Sequence, residues 1–188
     1  MDLFGYAIPL VSVLLALGLA RVLESHANLL KRQGDVAWSP TYLIWLILIV
    51  ALHIDLWVTL WIAHTLPNLD SGGWGTVSPF LFQAVCLFYA AVLSTPHAKE
   101  GEPLDLWQFH IDNRKRYLTA LIVYAAAGIG LGLLVQLPTQ VTSASVPMVG
   151  LALVAIFVSN RWVQLGAAGA TLIWTAVHFA KYLSDFMS

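Results

Sequence analysis

Long apolar runs separated by short polar breaks dominate the chain, and their lengths predict membrane-spanning helices. A helix needs roughly 20 apolar residues to cross a ~30 Å hydrocarbon core. Runs at 3–23, 40–64, 77–93 and 117–137 approach or reach that length. The first continues as an amphipathic extension through Arg21, Glu24, His26, Lys31 and Arg32, until Gln33-Gly34-Asp35 breaks it. No basic segment precedes it, so it reads as a retained helix and not a cleaved signal. Pro40 suits the first turn of the second helix, where its missing N–H costs nothing. Pro, Asn, Asp and Gly mark 66–75 as a loop, and Thr, Ser and Gln mark 138–145 as another. The segment 96–116 is the one long polar stretch and reads as a cytoplasmic loop.

The last apolar stretch, 146–183, is too long for one span. As a single helix it would measure about 57 Å. Ser159-Asn160-Arg161 is its natural turn, giving a short fifth helix at 146–158 and a sixth at 162–183. The fifth, about 20 Å long, needs a thinned bilayer or shelter inside the bundle. Five spans are the alternative, with Arg161 inside the fifth at a cost of at least a few kcal/mol. The fold class is therefore an all-α integral membrane bundle of six transmembrane helices, with five as the alternative.

Charge sets the orientation. Basic residues collect in cytoplasmic loops. Of the nine Lys and Arg, eight fall on the first, third and fifth connections, and only Lys181 departs. Both termini then lie outside, and a bacterial inner membrane is the expected location. Trp38, Trp74, Trp107 and Trp162 fall next to helix ends, where indole rings favour the headgroup zone. Trp45, Trp57, Trp61 and Trp174 lie within spans.

Composition agrees. The chain is 59% hydrophobic and 10% charged, against about 25% charged in soluble domains, and its mean hydropathy is +0.78. A net charge of −1 leaves no electrostatic footprint for nucleic acid. The partners expected are the lipid bilayer, a second copy or other membrane proteins. The single cysteine, Cys86, excludes an internal disulfide and a CxxC motif and reads as a packed side chain. Gly128 and Gly132 on helix 4, with Gly130 between, and Gly166, Gly169 and Ala170 on helix 6 mark expected close helix contacts.

The informative residues are the ionisable ones inside the spans. Helix 2 carries His53 and Asp55, about 20 and 23 Å along from Pro40. Helix 6 carries His178 and Lys181, about 24 and 29 Å along from Trp162. Gln83 of helix 3 approaches the same depth from outside. A buried membrane charge is expensive and points to function by default. Pairing Asp55 with Lys181 is the cheapest arrangement. His53 and Asp55 lie about 200° apart around the helix, so helix 2 must be buried on both faces or meet a partner.

No cofactor is expected, and three readings rank low. Haem would be held by His53 and His178, which lie on different helices at one depth. A divalent metal could use His53, Asp55 and His178, though the 200° offset opposes it. A retinal Schiff base on Lys181 lacks a seventh helix and further motifs. In 96–116, His97, Asp105, His110 and Asp112 match no metal-ligand spacing, and a solvated interfacial segment is expected. Walker A, HExxH, GxSxG and GxGxxG motifs are missing from the sequence, so enzyme chemistry is not indicated. The leading expectation is a small channel or transporter whose proton- or ion-linked polar site comprises His53, Asp55, His178, Lys181 and Gln83. The alternative is a non-catalytic subunit or scaffold, followed by a bis-histidine cytochrome.

Overall fold

Helices form where the apolar runs lie. The computed structural model describes residues 3–32, 34–65, 74–97, 102–134 and 145–187. In chain order these form α1 (Leu3–Lys31), β1 (Val36–Ala37), α2 (Pro40–Thr65), α3 (Trp74–Ser94), β2 (Leu104–Asp105), α4 (Leu106–Leu134), α5 (Ser145–Phe157) and α6 (Arg161–Met187). The segments Gly5–Lys31, Pro40–Ala63, Val77–Ser94, Leu106–Leu133 and Arg161–Lys181 are long and apolar enough to cross a membrane. By length and composition they identify an integral membrane protein. The loop expected at 66–75 falls largely outside the described residues, as does that at 138–145; Trp74 and Gly75 already belong to α3 and Ser145 to α5.

The helices close a ring. α1 packs on α3, α3 on α4, α4 on α5, α5 on α6, α6 on α2, and α2 on α1. α2 also leans onto α3 and α4, the central position its two polar faces require. Trp45, Tyr42, Tyr117, Leu87 and Leu118 are fully buried at the core of this arrangement.

One boundary differs substantially from the sequence reading. α4 begins at Leu106, not near Tyr117, so 106–116 is helix and not a solvated loop. Asp105 caps it, its Oδ1 accepting from Trp107 N at 2.8 Å and Gln108 N at 3.1 Å. Such a cap contributes about 1 kcal/mol. The preceding residues are tied down as well. β1 pairs in parallel with β2, Val36 opposite Leu104 and Ala37 opposite Asp105. Leu104 N donates to Asp35 O at 2.8 Å, and Arg32 donates to the Glu102 carbonyl. The α1–α2 and α3–α4 connections thus meet at one end of the bundle, which also carries Lys31, Arg114 and Arg161; it is the basic end below.

α5 is short, as the sequence indicates, and it ends at Phe157. Asn160 caps α6, its Oδ1 accepting from Trp162 N at 2.9 Å and Val163 N at 3.4 Å. The glycine stripes behave unevenly. A Cβ at Gly128 would lie 2.9 Å from Gln83 Nε2, so α3 and α4 do approach closely there. Gly130, Gly166 and Gly169 face open space. On α6 it is Ala167 and Ala168 that are buried, which corrects the expectation for that helix. A Cβ at Gly18 would lie closer still to its neighbour, 2.3 Å from His53 Nε2.

Candidate functional site

The two polar residues of α2 point to different neighbours. His53 is buried, and its Nδ1 lies 2.7 Å from Ile49 O. A carbonyl only accepts, so Nδ1 carries the proton and Nε2 is the bare acceptor. Nε2 faces α1, where a Cβ added at Gly18 would lie 2.3 Å from it. Among the described residues this nitrogen has no hydrogen-bond partner. Haem ligation through His53 would need open space at Nε2, and Gly18 lies against it.

Asp55 is half-buried on another face. Its charge lies within electrostatic reach of Tyr124 of α4. Gln83 Nε2 donates to Tyr124 O at 3.4 Å. Tyr124 is thus approached separately, by Gln83 at its backbone carbonyl and by the field of the Asp55 carboxylate. Among the described residues, Asp55 forms no ion pair, with Lys181 or any other cation. Lys181 is exposed, as expected of a flexible stem that carries its ammonium toward the headgroups. His178 is half-buried on α6, within electrostatic reach of Lys181. Two of the five sequence candidates, Asp55 and Gln83, thus each approach Tyr124, and His53 turns toward α1.

A second polar cluster lies toward the basic end, where the sequence suggested only a solvated segment. His110 and Gln164 are fully buried, and Tyr117 and Arg114 nearly so. His110 Nδ1 is 2.5 Å from Tyr117 OH and Nε2 is 2.9 Å from Gln164 Oε1. The Gln164 amide nitrogen donates to the Ala155 and Val158 carbonyls. Its Oε1 must then accept, so His110 Nε2 carries the proton and Nδ1 accepts from Tyr117. Arg114 Nε donates to Ala155 O at 3.1 Å, Nη1 to Ile111 O at 2.8 Å and Nη2 to Ser159 Oγ at 2.6 Å. Carbonyls at a helix C-terminus lack intrahelical donors and carry partial negative charge. Arg114 and Gln164 supply both the donors and the charge for α5. The Arg161 guanidinium lies 5.7 Å above the Trp107 ring and joins the starts of α6 and α4.

Facing this cluster, α2 presents Tyr42 and Trp45, and Ser39 immediately precedes the helix; all three are buried. Tyr42 meets Phe109 edge to face at 5.9 Å, and Trp45 meets Tyr117 at 6.5 Å. Ser39 Oγ, Tyr42 OH and Trp45 Nε1 have no hydrogen-bond partner among the described residues. The sequence did carry a signal for this region. His110, Tyr117 and Tyr124 recur every seven residues, hence on one stripe of α4. Counting His110 and Arg114 as solvated polar residues concealed it.

Among the described residues no three His, Cys, Asp or Glu side chains gather as a metal site. Cys86 is buried within the core. Compared with family models, curated proteins and solved structures, the chain matches none.

Proposed function

We propose that this chain is a small membrane transport protein that moves protons or a small ion, with Asp55 as its central charged group. The observation that carries this reading is the setting of Asp55. It lies well inside the apolar segment Pro40–Ala63, half-buried, without an ion pair or hydrogen bond among the described residues, within electrostatic reach of Tyr124. A carboxylate at that depth costs several kcal/mol unless something binds it, and a transported cation or proton would do so. In this reading the basic end faces the cytoplasm, following the positive-inside rule, in a bacterial inner membrane.

The test is flux in proteoliposomes under an imposed ion or pH gradient. Wild type should dissipate the gradient, and Asp55→Asn should not, at equal incorporation and equal thermal stability. Equal flux from both proteins would remove Asp55 from this role.

A second reading, a subunit or scaffold for other membrane proteins, is favoured by one feature. Ile54, Trp57 and Trp61 of α2 are 47%, 48% and 58% exposed and form an apolar aromatic face close to Asp55. Aromatic residues are enriched where proteins associate. Purification from its own membrane in mild detergent would then retain a stoichiometric partner. A pure, single-component particle would count against it.

A further inference from the structure

We propose that Asp55 is loaded by protons that enter from the basic end through a water-bearing column between α2 and α4. The proposal rests on the transport reading of Asp55 and narrows its substrate to the proton. Its walls are Ser39 just before α2, Tyr42 and Trp45 on α2, and the stripe His110, Tyr117 and Tyr124 on α4.

The first support is where unpartnered polar atoms lie. Buried polar groups are normally hydrogen-bonded, and exceptions require a physical reason. Among the described residues the unpartnered buried atoms belong to Ser25, His26, Arg32, Ser39, Tyr42, Trp45 and His53. All of them fall between the basic end and the middle of α2. They include the hydroxyls of Ser39 and Tyr42 and the indole N–H of Trp45, three positions apart from one to the next at the start of α2. The ring contacts Tyr42–Phe109 and Trp45–Tyr117 turn this face toward α4. A polar interior site with two to four partners per molecule is where water binds.

The second support is the α4 stripe. His110, Tyr117 and Tyr124 are all buried and rise about 10 Å from each to the next. Tyr117 spends its one O–H on His110, so its oxygen lone pairs remain to accept from a water. Tyr42 lies within electrostatic reach of Tyr117, and Asp55 within reach of Tyr124. The stripe therefore runs from the basic end toward the depth of Asp55.

The third support concerns which cation fits. A metal cation needs several oxygen ligands around it. This column offers two hydroxyls, an indole N–H and a phenol oxygen, too few oxygen ligands to replace a metal ion's hydration shell. A proton needs only one acceptor and one donor at each step. A water accepts a proton on its oxygen and releases another from an O–H to the next oxygen. The last transfer protonates the Asp55 carboxylate. No electrons move and no covalent bond to carbon changes.

The test uses the intact chain in proteoliposomes with a trapped pH-sensitive dye. Tyr42→Phe and Tyr117→Phe keep the rings and remove only the hydroxyls. Each should slow proton flux by about a hundredfold, in the range a positioned proton-transfer group contributes. In a Cys86→Ser background, Ser39→Cys and Trp45→Cys should react with a small charged thiol reagent applied at the basic end and resist it at the other. Wild-type flux in both Phe variants, together with unreactive cysteines, would overturn the column and leave Asp55 in place if Asp55→Asn still abolishes flux. Flux that requires Asp55 but is carried by a metal cation would also overturn the proton assignment alone. Wild-type flux no greater than that of protein-free vesicles would overturn both readings.

Discussion

Gly18→Ala probes the close approach of α1 to His53 of α2. The new Cβ would lie 2.3 Å from His53 Nε2, 3.1 Å from Cδ2 and 3.4 Å from Cε1. His53 cannot step aside cheaply. It is buried, and its Nδ1–H is held by Ile49 O at 2.7 Å. Either α1 moves off α2 or the imidazole leaves its rotamer and that bond. Overpacking of this kind costs about 1–3 kcal/mol, and losing the hydrogen bond costs about 1 kcal/mol. Alanine returns about 1 kcal/mol through helix propensity. The net is a loss of about 1–3 kcal/mol. Reversible unfolding in mixed detergent micelles would measure it. The decisive arm is a double-mutant cycle, because His53→Ala removes the clashing ring. Gly18→Ala should then cost little or nothing, giving a coupling of about 1–3 kcal/mol. A Gly18→Ala variant as stable as wild type, or additive costs in the double variant, would refute the packing described for α1 and α2.

Three further outcomes follow from the same geometry. Arg114→Lys should lose about 1–3 kcal/mol, because a lysine cannot fork to Ala155 O, Ile111 O and Ser159 Oγ together; unfolding free energies would show it, and faster hydrogen exchange at the end of α5 would locate it. Asp105→Ala should cost about 1 kcal/mol and expose the amides of Trp107 and Gln108 to exchange, whereas unchanged protection there would contradict the cap. Gly166→Ala should be neutral or stabilising by up to about 1 kcal/mol, since no atom lies within 4 Å of the added Cβ; a marked loss of stability would mean that this face of α6 is packed.

Most of the helices were legible as apolar runs bounded by polar, Pro or Gly breaks. Chain length against bilayer thickness showed that 146–183 must turn, and the polar triplet Ser159-Asn160-Arg161 placed the turn and so made α5 short. The start of α4 could not be read in this way. His110 and Arg114 look like solvated residues until their partners are known, and those are Gln164, Ala155 and Ser159, 41 to 54 positions away. The opposed faces of His53 and Asp55 followed from helical angle. The pairing of Asp55 with Lys181 was inferred from depth alone, and depth does not say which way α6 turns its lysine. Glycine spacing likewise marked Gly166 and Gly169, which face open space. Gly18 is a contact only because α1 and α2 meet at His53, a relation no single-helix pattern contains.

The most direct measurement is gradient dissipation by the purified protein in proteoliposomes, wild type beside Asp55→Asn. Transport centred on Asp55 predicts flux from the wild type and its loss in a variant that incorporates and unfolds like the wild type. Equal flux from the two, or none from either, would contradict it.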